Sequence, residues 1–142
     1  MPPPLREEWN NHASTFARTW LVAMRSKRRL LLGDVPETSR LRREITRVAV
    51  AGLADETEAQ AIQRAMAKDF HLLEAALATD KRVISLDEKV RTHFCRAASE
   101  VKAIKAVIWV NPGLEGVTAI VWIEENARAE RKRRLDCQPI SV

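Results

Sequence analysis

The chain has 142 residues, of which 46% are hydrophobic and 30% are charged. This length suits a single folded domain, and the composition excludes disordered, collagen-like and disulfide-stapled chains. The net charge of +5 favours a polyanionic partner such as nucleic acid, and the two cysteines, Cys95 and Cys137, form no metal-binding motif.

The sequence also disfavours a membrane-spanning protein and a protein that binds a nucleotide cofactor. No apolar run approaches the roughly 18 residues of a membrane-spanning helix. The amino-terminal segment MPPPLREEW has no signal-peptide core, so we expect a cytoplasmic protein without a membrane association. The chain has four glycines and contains neither a P-loop nor a dinucleotide-binding glycine motif.

A first amphipathic helix is predicted over residues 5–25. Its apolar residues recur at three- and four-residue steps: Leu5, Trp9, Ala13, Phe16, Trp20 and Met24. Glu7 and Glu8 lie in its first turn, where the helix dipole favours negative charge. A basic cluster follows, and it is either a solvated helix end or a phosphate-contacting patch. Its members are Arg25, Lys27, Arg28 and Arg29.

Two more helices are predicted before the most informative stretch of the chain. The second begins at Thr38 or Ser39 and continues to about Ala51, with Gly52 at its end. Its inner face is apolar and its outer face is basic, carrying Arg40, Arg42, Arg43 and Arg47. The third helix begins at Asp55 or Thr57.

Residues 69–87, DFHLLEAALATDKRVISLD, predict a buried helix, a turn and a strand bracketed by two acidic residues. Asp69 opens the helix, and Asp87 follows an apolar strand that is expected to be covered on both faces. Ligands of open α/β sheets bind outside the carboxyl ends of the strands. Two carboxylates held there suit Mg²⁺ or Mn²⁺. Asp80 precedes the strand, so it is expected at the opposite edge as a turn residue.

Both carboxylates also have a purely structural interpretation. Asp69 can be the N-cap of its own helix, and Asp87 can cap the helix that begins at Glu88. That helix is predicted to reach about Lys102, and a second strand spans 106–110 before the turn at Asn111, Pro112 and Gly113. Residues 117–123 fit a strand or a helix; we favour a helix that continues to about Arg134 because no breaker interrupts it.

Several of these segments resemble the PIN domain family. The pattern D-x-x-L-L-E-A-A-L followed by V-I-S-L-D resembles the carboxyl half of a PIN domain, and LREEWNNHASTFARTW is similar to the family helix that carries a site glutamate. AVIWVNP resembles the last family strand and its turn. The resemblance covers roughly residues 5–112.

The resemblance implies a helix-rich, three-layer α/β/α PIN-like fold with a short parallel sheet. Residues 1–142 would form one domain, with a core at 5–112 and a C-terminal helix and tail at 113–142. Glu8, with Glu7 as the alternative, Asp69 and Asp87 would be the catalytic metal ligands for Mg²⁺ or Mn²⁺. The basic cluster at 25–29 and Arg40, Arg42 and Arg43 would contact RNA.

One feature of the family is missing from this sequence. A PIN domain begins with a strand that carries the first acidic ligand, and neither a β-like run nor an acidic residue precedes Glu7. The resemblance therefore implies an N-terminally truncated member or a reading frame that begins too late, with a site short of one ligand.

The function implied by the resemblance is metal-dependent RNA phosphodiester hydrolysis by a PIN-type endoribonuclease, with activity conditional on the missing ligand. An antitoxin-like protein partner and a homodimer are further implications of the same resemblance. The alternative from a different class is a non-catalytic, helical protein that binds nucleic acid or a partner. That alternative explains the basic helices without a metal.

Overall fold

The computed structural model of the protein describes residues 38–140 together with Pro4, Glu7 and Thr19. The chain divides into two units, Met1–Glu37 and Thr38–Val142. In the first unit the three described residues are helical and exposed. The predictions for Glu8 and for the basic cluster Arg25, Lys27, Arg28 and Arg29 lie outside the described residues.

The second unit begins with a helical pair. Helix α1 spans Ser39–Ala49 and buries Ile45, Val48 and Ala49. Its end is marked by Gly52, whose φ of +82° favours glycine. Helix α2 spans Glu56–Ala78, and the side chain of its N-cap Asp55 accepts a hydrogen bond from the backbone N–H of Thr57 at 2.8 Å. The predicted start of this helix at Asp55 is confirmed.

The helix start predicted at Asp69 is wrong, because α2 passes through Asp69 without a break. Ile62, Met66, Phe70 and Leu73 are buried at steps of four, four and three residues, which is one uninterrupted apolar stripe. No glycine or proline lies between Glu56 and Ala78 to end the helix. Asp69 is therefore a half-buried residue of the helix interior and is not the N-cap of this helix.

A parallel strand pair joined by a helix follows α2. Strand β1 spans Arg82–Ile84, helix α3 spans Glu88–Ala98, a 3₁₀ helix covers Lys102–Ile104, and strand β2 spans Ile108–Val110. The two strands pair in parallel, with Val83 opposite Trp109. The prediction of a mixed, helix-rich α/β class with a short parallel sheet is thereby confirmed.

The two strands differ in how well they are covered. All three residues of β2 are buried. Trp109 packs in the large cluster formed with α1, α2 and α3, whereas Ile108 and Val110 belong to a smaller cluster with Ala119 and Trp122. Strand β1 was predicted to be covered on both faces, and this is wrong: Ile84 is 52% exposed and Leu86, just past the strand, is 73% exposed.

The chain ends in two short helices and an irregular arm. Helix α4 spans Pro112–Glu115, and helix α5 spans Val117–Glu124, which confirms the helical interpretation of residues 117–123. The predicted continuation to Arg134 is wrong. Asn126 and Ala127 have positive φ, so the helix stops, and a 3₁₀ helix forms later at Arg131–Arg133.

The carboxyl-terminal arm, residues 126–139, runs along the outer edge of β2. Leu135 donates its N–H to the carbonyl of Val107 at 2.9 Å, and Arg134 forms an antiparallel bridge with Ile108. Within the part of the chain that the structure describes, no helix is both long enough and apolar enough to cross a membrane.

Candidate functional site

The carboxyl ends of β1 and β2 are tied together by one asparagine. Asn111 follows β2 directly, and its Nδ2 donates to the carbonyl of Leu86 at 3.3 Å and to Oε2 of Glu88 at 3.2 Å. Its Oδ1 accepts the N–H of Gly113 at 2.9 Å, so Asn111 is also the N-cap of α4. The residues after both parallel strands therefore converge at the edge where α/β proteins bind ligands.

Glu88 and Arg91 form the first ion pair at this edge. The Nε of Arg91 donates to Oε1 of Glu88 at 2.7 Å, and its Nη2 contacts the same oxygen. Arg91 also donates to Oε1 of Gln138 at 2.9 Å, which joins α3 to the carboxyl-terminal arm. The hydrogen bonds from Arg91 lower the pKa of Glu88 against the opposing effect of burial, and those with Glu88 raise the pKa of Arg91. Both side chains are therefore charged at neutral pH.

A second ion pair lies at the same edge. The buried Arg133 contacts Oε2 of Glu115 through Nη1, and it donates through Nε to Oε2 of Glu130 at 3.1 Å. Its guanidinium also lies 5.2 Å from the ring centroid of Trp122. Glu115 and Arg133 are 18 residues apart in the sequence, so only the fold brings them together.

These groups surround a pocket of about 380 Å³, which we call the edge pocket. Its polar wall consists of the two ion pairs Glu88–Arg91 and Glu115–Arg133 with Asn111 and Gln138, and Trp109, Leu114, Thr118, Lys132 and Pro139 complete the lining. Gln138 is held in the wall by hydrogen bonds from its Nε2 to the carbonyl of Trp109 at 2.9 Å and to the carbonyl of Arg133.

Asp87 lies beside this edge as the N-cap of α3. Its Oδ1 accepts the N–H of Val90 at 3.0 Å, which confirms the capping interpretation. The side chain is exposed, so the cap leaves the carboxylate accessible to solvent. Asp80 lies at the other end of β1, where its Oδ1 accepts the N–H of Arg82 at 3.2 Å in a turn, as predicted.

Asp69 is placed differently from Asp87. Its neighbour Phe70 contacts Phe94 with the ring centroids 5.6 Å apart. Phe94 is seven residues into α3 from Asp87, which corresponds to about 10 Å along a helix at 1.5 Å per residue. This contact aligns the region of Asp69 with the middle of α3 rather than with its first turn.

The predicted basic residues of α1 separate into two groups. Arg40 and Arg43 are exposed, and Arg47 joins them on the same face of the helix. Arg42 points elsewhere: its Nε donates to Oε2 of Glu74 at 3.1 Å, and its guanidinium lies 5.3 Å from the ring centroid of Phe70. Arg42 therefore belongs to the helix packing and not to the exposed basic face.

Two titratable side chains of α3, Cys95 and His93, have shifted pKa values. Burial raises the pKa of the Cys95 thiol to about 11, with the charge of Arg91 opposing it, so the thiol stays protonated at neutral pH. Burial lowers the pKa of His93, helped by the charge of Arg96. His93 is therefore neutral at pH 7 and offers no positive charge to a phosphate.

The described residues supply part of a donor set for a hard divalent cation. Asp87 and Glu88 follow β1 together, but Glu88 is already neutralised by Arg91. Among the residues that the structure describes, no three His, Cys, Asp or Glu side chains come together as a metal site would require. The described residues by themselves therefore do not form a metal site, and the predicted ligand Glu8 lies outside them.

Sequence reasoning missed most of the edge pocket. Asn111 was interpreted only as a turn residue, although its place directly after a buried strand is a usable signal for this edge. Glu88 and Arg91 are spaced i, i+3 on one helix and were recognisable as an ion pair. Nothing in the sequence links Glu115 to Arg133.

Comparison with protein-family models, with curated proteins and with solved structures found no match to this chain.

Proposed function

We propose that the chain is a metal-dependent ribonuclease domain of the PIN type with its site at the carboxyl edge of the parallel strand pair. The observation that carries the proposal is the position of Asp87. It follows the first of two parallel strands, it is exposed, and Asn111 joins the end of the second strand to the adjacent Glu88. Carboxylates at this edge agree with the family resemblance of the sequence and with the general location of α/β ligand sites.

The layering of the fold is a second support for the proposal. Strand β2 lies between two apolar clusters, one shared with α1, α2 and α3 and one shared with α5. This is the local arrangement expected of the three-layer α/β/α fold that we propose for the complete domain. The predicted homodimer, the antitoxin-like partner and the cytoplasmic location stay predictions.

In the proposed site Asp87 is the acidic residue at the carboxyl edge, held in position by the cap of α3. The ligand role predicted for Glu8 lies outside the described residues. A bound divalent ion supplies an acidified water and offsets negative charge on the phosphoryl oxygens. The contact between Phe70 and Phe94 aligns Asp69 with the middle of α3, so the ligand role of Asp69 stays a prediction from the family resemblance. Arg40 and Arg43 would steer the RNA backbone.

The test is cleavage of a fluorescent single-stranded RNA by the full chain with Mn²⁺, together with thermal unfolding in a Mn²⁺ titration. Asp87→Asn is the informative variant, because asparagine keeps the N-cap bond and removes the charge. We expect it to lower cleavage and Mn²⁺ affinity by about tenfold or more. Asp69→Asn is expected to lower cleavage as well.

Asp80→Asn is the matched control, since it removes the same charge at the opposite end of β1 and also keeps a side-chain acceptor. It should cleave RNA like the unmodified protein. The proposal fails if Mn²⁺ neither stabilises the fold nor supports cleavage. It also fails if Asp69→Asn and Asp87→Asn behave like Asp80→Asn.

A non-catalytic nucleic-acid-binding function is the second candidate, favoured by the exposed face of α1. Arg40, Arg43 and Arg47 lie on this face with one exposed acidic residue, Glu44, so the face keeps a net positive charge. Each phosphate contact with single-stranded RNA contributes roughly 0.7 to the slope of the logarithm of the binding constant against the logarithm of the salt concentration. Three contacts from this face would therefore contribute about 2 to that slope.

Replacing these three arginines with glutamine tests the second candidate in EDTA, where metal-dependent cleavage is absent. RNA binding should weaken and its salt slope should fall by about 2. Replacing Arg64, Lys68 and Lys102, three exposed cations on other elements, removes the same charge and is the control. Equal losses from both sets would show only a general charge effect and would reject a specific role for α1.

A further inference from the structure

The edge pocket has a charge-balanced wall. Each carboxylate of the wall contacts a guanidinium, Glu88 with Arg91 and Glu115 with Arg133. Both arginines are buried, and further hydrogen bonds to Gln138 and Glu130 hold them in place. A wall of paired charges that are fixed before a ligand arrives favours a neutral, polar group with several hydrogen-bonding atoms over a small, highly charged ion.

The size of the pocket narrows the choice of ligand. Its volume of about 380 Å³ lies near the lower end of ligand pockets, which hold roughly 300–1,000 Å³. Such a pocket holds a small molecule or a single unit of a polymer, and it is too small for a helix or a folded protein partner. Leu114 and Pro139 add apolar surface to the polar wall, so the pocket offers both apolar and hydrogen-bonding contacts, as a flat ring with polar edges requires.

Lys132 supplies a cation at the rim of the same pocket. Its side chain is 71% exposed and pairs with Glu130 at 3.3 Å. An exposed pair of this kind contributes at most about 1 kcal/mol, so the ammonium group can exchange Glu130 for another anion. The pocket thus combines a neutral interior with one available positive charge at its mouth.

We propose that the edge pocket binds one nucleotide of an RNA strand, with the base between the two ion pairs and the phosphate on Lys132. The proposal rests on the proposed function for the identity of the polymer, and it adds a substrate subsite to it. The subsite uses Lys132, Asn111 and the two ion pairs, and none of these is among the proposed acidic residues Glu8, Asp69 and Asp87.

Nucleoside monophosphates in EDTA are the probes, so that binding is measured without metal or cleavage. The readout is the indole N–H resonance of Trp109, which lines the pocket and is assigned by comparison with Trp109→Phe. We expect at least one of AMP, CMP, GMP and UMP to shift this resonance in a saturable way at millimolar concentrations. The matching nucleoside should bind as well, but more weakly.

Two variants locate the ligand. Lys132→Ala should reduce monophosphate affinity to that of the nucleoside and lower the salt slope of RNA binding by about 0.7, whereas Arg131→Ala, an exposed neighbour outside the lining, should not. Thr118→Trp fills the pocket from the exposed side of α5 and should abolish binding of both ligands. Thr118→Ala is its control and should retain binding.

The proposal is overturned if none of the four monophosphates shifts the Trp109 resonance, or if Thr118→Trp binds them as well as Thr118→Ala does. It is also overturned if Lys132→Ala and Arg131→Ala bind equally. These outcomes are separate from the cleavage test. Nucleotide binding with neither Mn²⁺ stabilisation nor Mn²⁺-dependent cleavage would retain the pocket and reject the nuclease. Mn²⁺-dependent cleavage without nucleotide binding would retain the nuclease and reject the pocket.

Discussion

The ion pair between Arg42 and Glu74 makes the most specific stability prediction for the second unit. Glu74 lies on α2 with only 5% of its side chain exposed, and Arg42 on α1 is 28% exposed. Glu74 also accepts the N–H of Thr38 at 2.8 Å through Oε2. The side chain of Thr38 makes no cap bond, so Glu74 satisfies the start of α1 from a neighbouring helix.

Arg42→Met removes the guanidinium and leaves the carboxylate buried. Breaking a buried pair costs about 3–5 kcal/mol, and the partial exposure of Arg42 lowers this to about 2–3 kcal/mol. Loss of the contact with the Phe70 ring adds roughly 0.5 kcal/mol. We therefore expect the free energy of unfolding to fall by about 3 kcal/mol at pH 7. Arg42→Met combined with Glu74→Leu should recover all but about 1 kcal/mol, since no charge is then left unpaired.

The pH dependence of this loss follows from the pKa of Glu74. Burial acts to raise that pKa, but the hydrogen bonds from Arg42 and Thr38 and the charge of Arg42 outweigh it, so the pKa lies below its ordinary value of 4.5. The pair therefore contributes stability above pH 4.5 that is lost as the pH falls through the lowered pKa. Arg42→Met removes the hydrogen bond and the charge that lower this pKa and leaves burial and the hydrogen bonds from Thr38, so the pKa of Glu74 rises relative to the unmodified protein and protonation relieves the unpaired carboxylate at a higher pH.

Urea unfolding followed by circular dichroism at pH 4 and pH 7 measures both effects. The difference between Arg42→Met and the unmodified protein should be larger at pH 7 than at pH 4. Arg43→Met is the control, because it removes the adjacent, exposed arginine and should cost less than about 0.5 kcal/mol. A loss of stability in Arg42→Met that is no greater than in Arg43→Met, or that does not depend on pH, would show that the ion pair does not stabilise the fold.

Three further predictions concern the core, a turn and a cap. Phe94→Ala should cost about 3–5 kcal/mol in urea unfolding, because Phe94 is fully buried between Phe70 and Trp109; a cost below 2 kcal/mol would mean that the site collapses. Gly52→Ala should cost about 1 kcal/mol in thermal unfolding at the φ of +82°, and Gly52→Asn should cost less; equal costs would contradict the backbone argument. Asp87→Ala should lower the stability of α3 by about 1 kcal/mol and Asp87→Asn should lower it almost not at all, as measured by amide hydrogen exchange in α3. Equal protection of the amides in both variants would show that the cap does not stabilise the helix.

Local chemistry was largely predictable from the sequence. Asp55 and Asp87 cap α2 and α3 because a short carboxylate reaches the free N–H groups of a first turn, whatever the rest of the fold does. Gly52 and Asn111 mark ends of elements for similarly local reasons. The helical interpretation of residues 117–123 was correct for the segment, but the end of that helix was not predictable from the absence of breakers.

The cap predicted at Asp69 shows the limit of local reasoning. An aspartate before an apolar run has the composition of a helix start, but a cap forms only where the chain actually turns. The buried stripe from Ile62 to Leu73 has helical spacing through Asp69, and burying it against α3 favours an unbroken helix. A longer window over the apolar residues would have given the correct prediction.

By itself the sequence determined most helices, the two strand segments and the caps Asp55 and Asp87, because these depend on periodicity and on contacts within a few residues. The parallel pairing of the strands was expected only from the family resemblance. The tertiary structure alone decided the exposure of β1, the commitment of Arg42 to Glu74 and the edge pocket. Each of these joins residues that are far apart in the chain: 32 residues separate Arg42 from Glu74, 18 separate Glu115 from Arg133, and 23 separate Glu88 from Asn111. Such pairs leave no periodic signal, since their partners are chosen by packing and not by spacing.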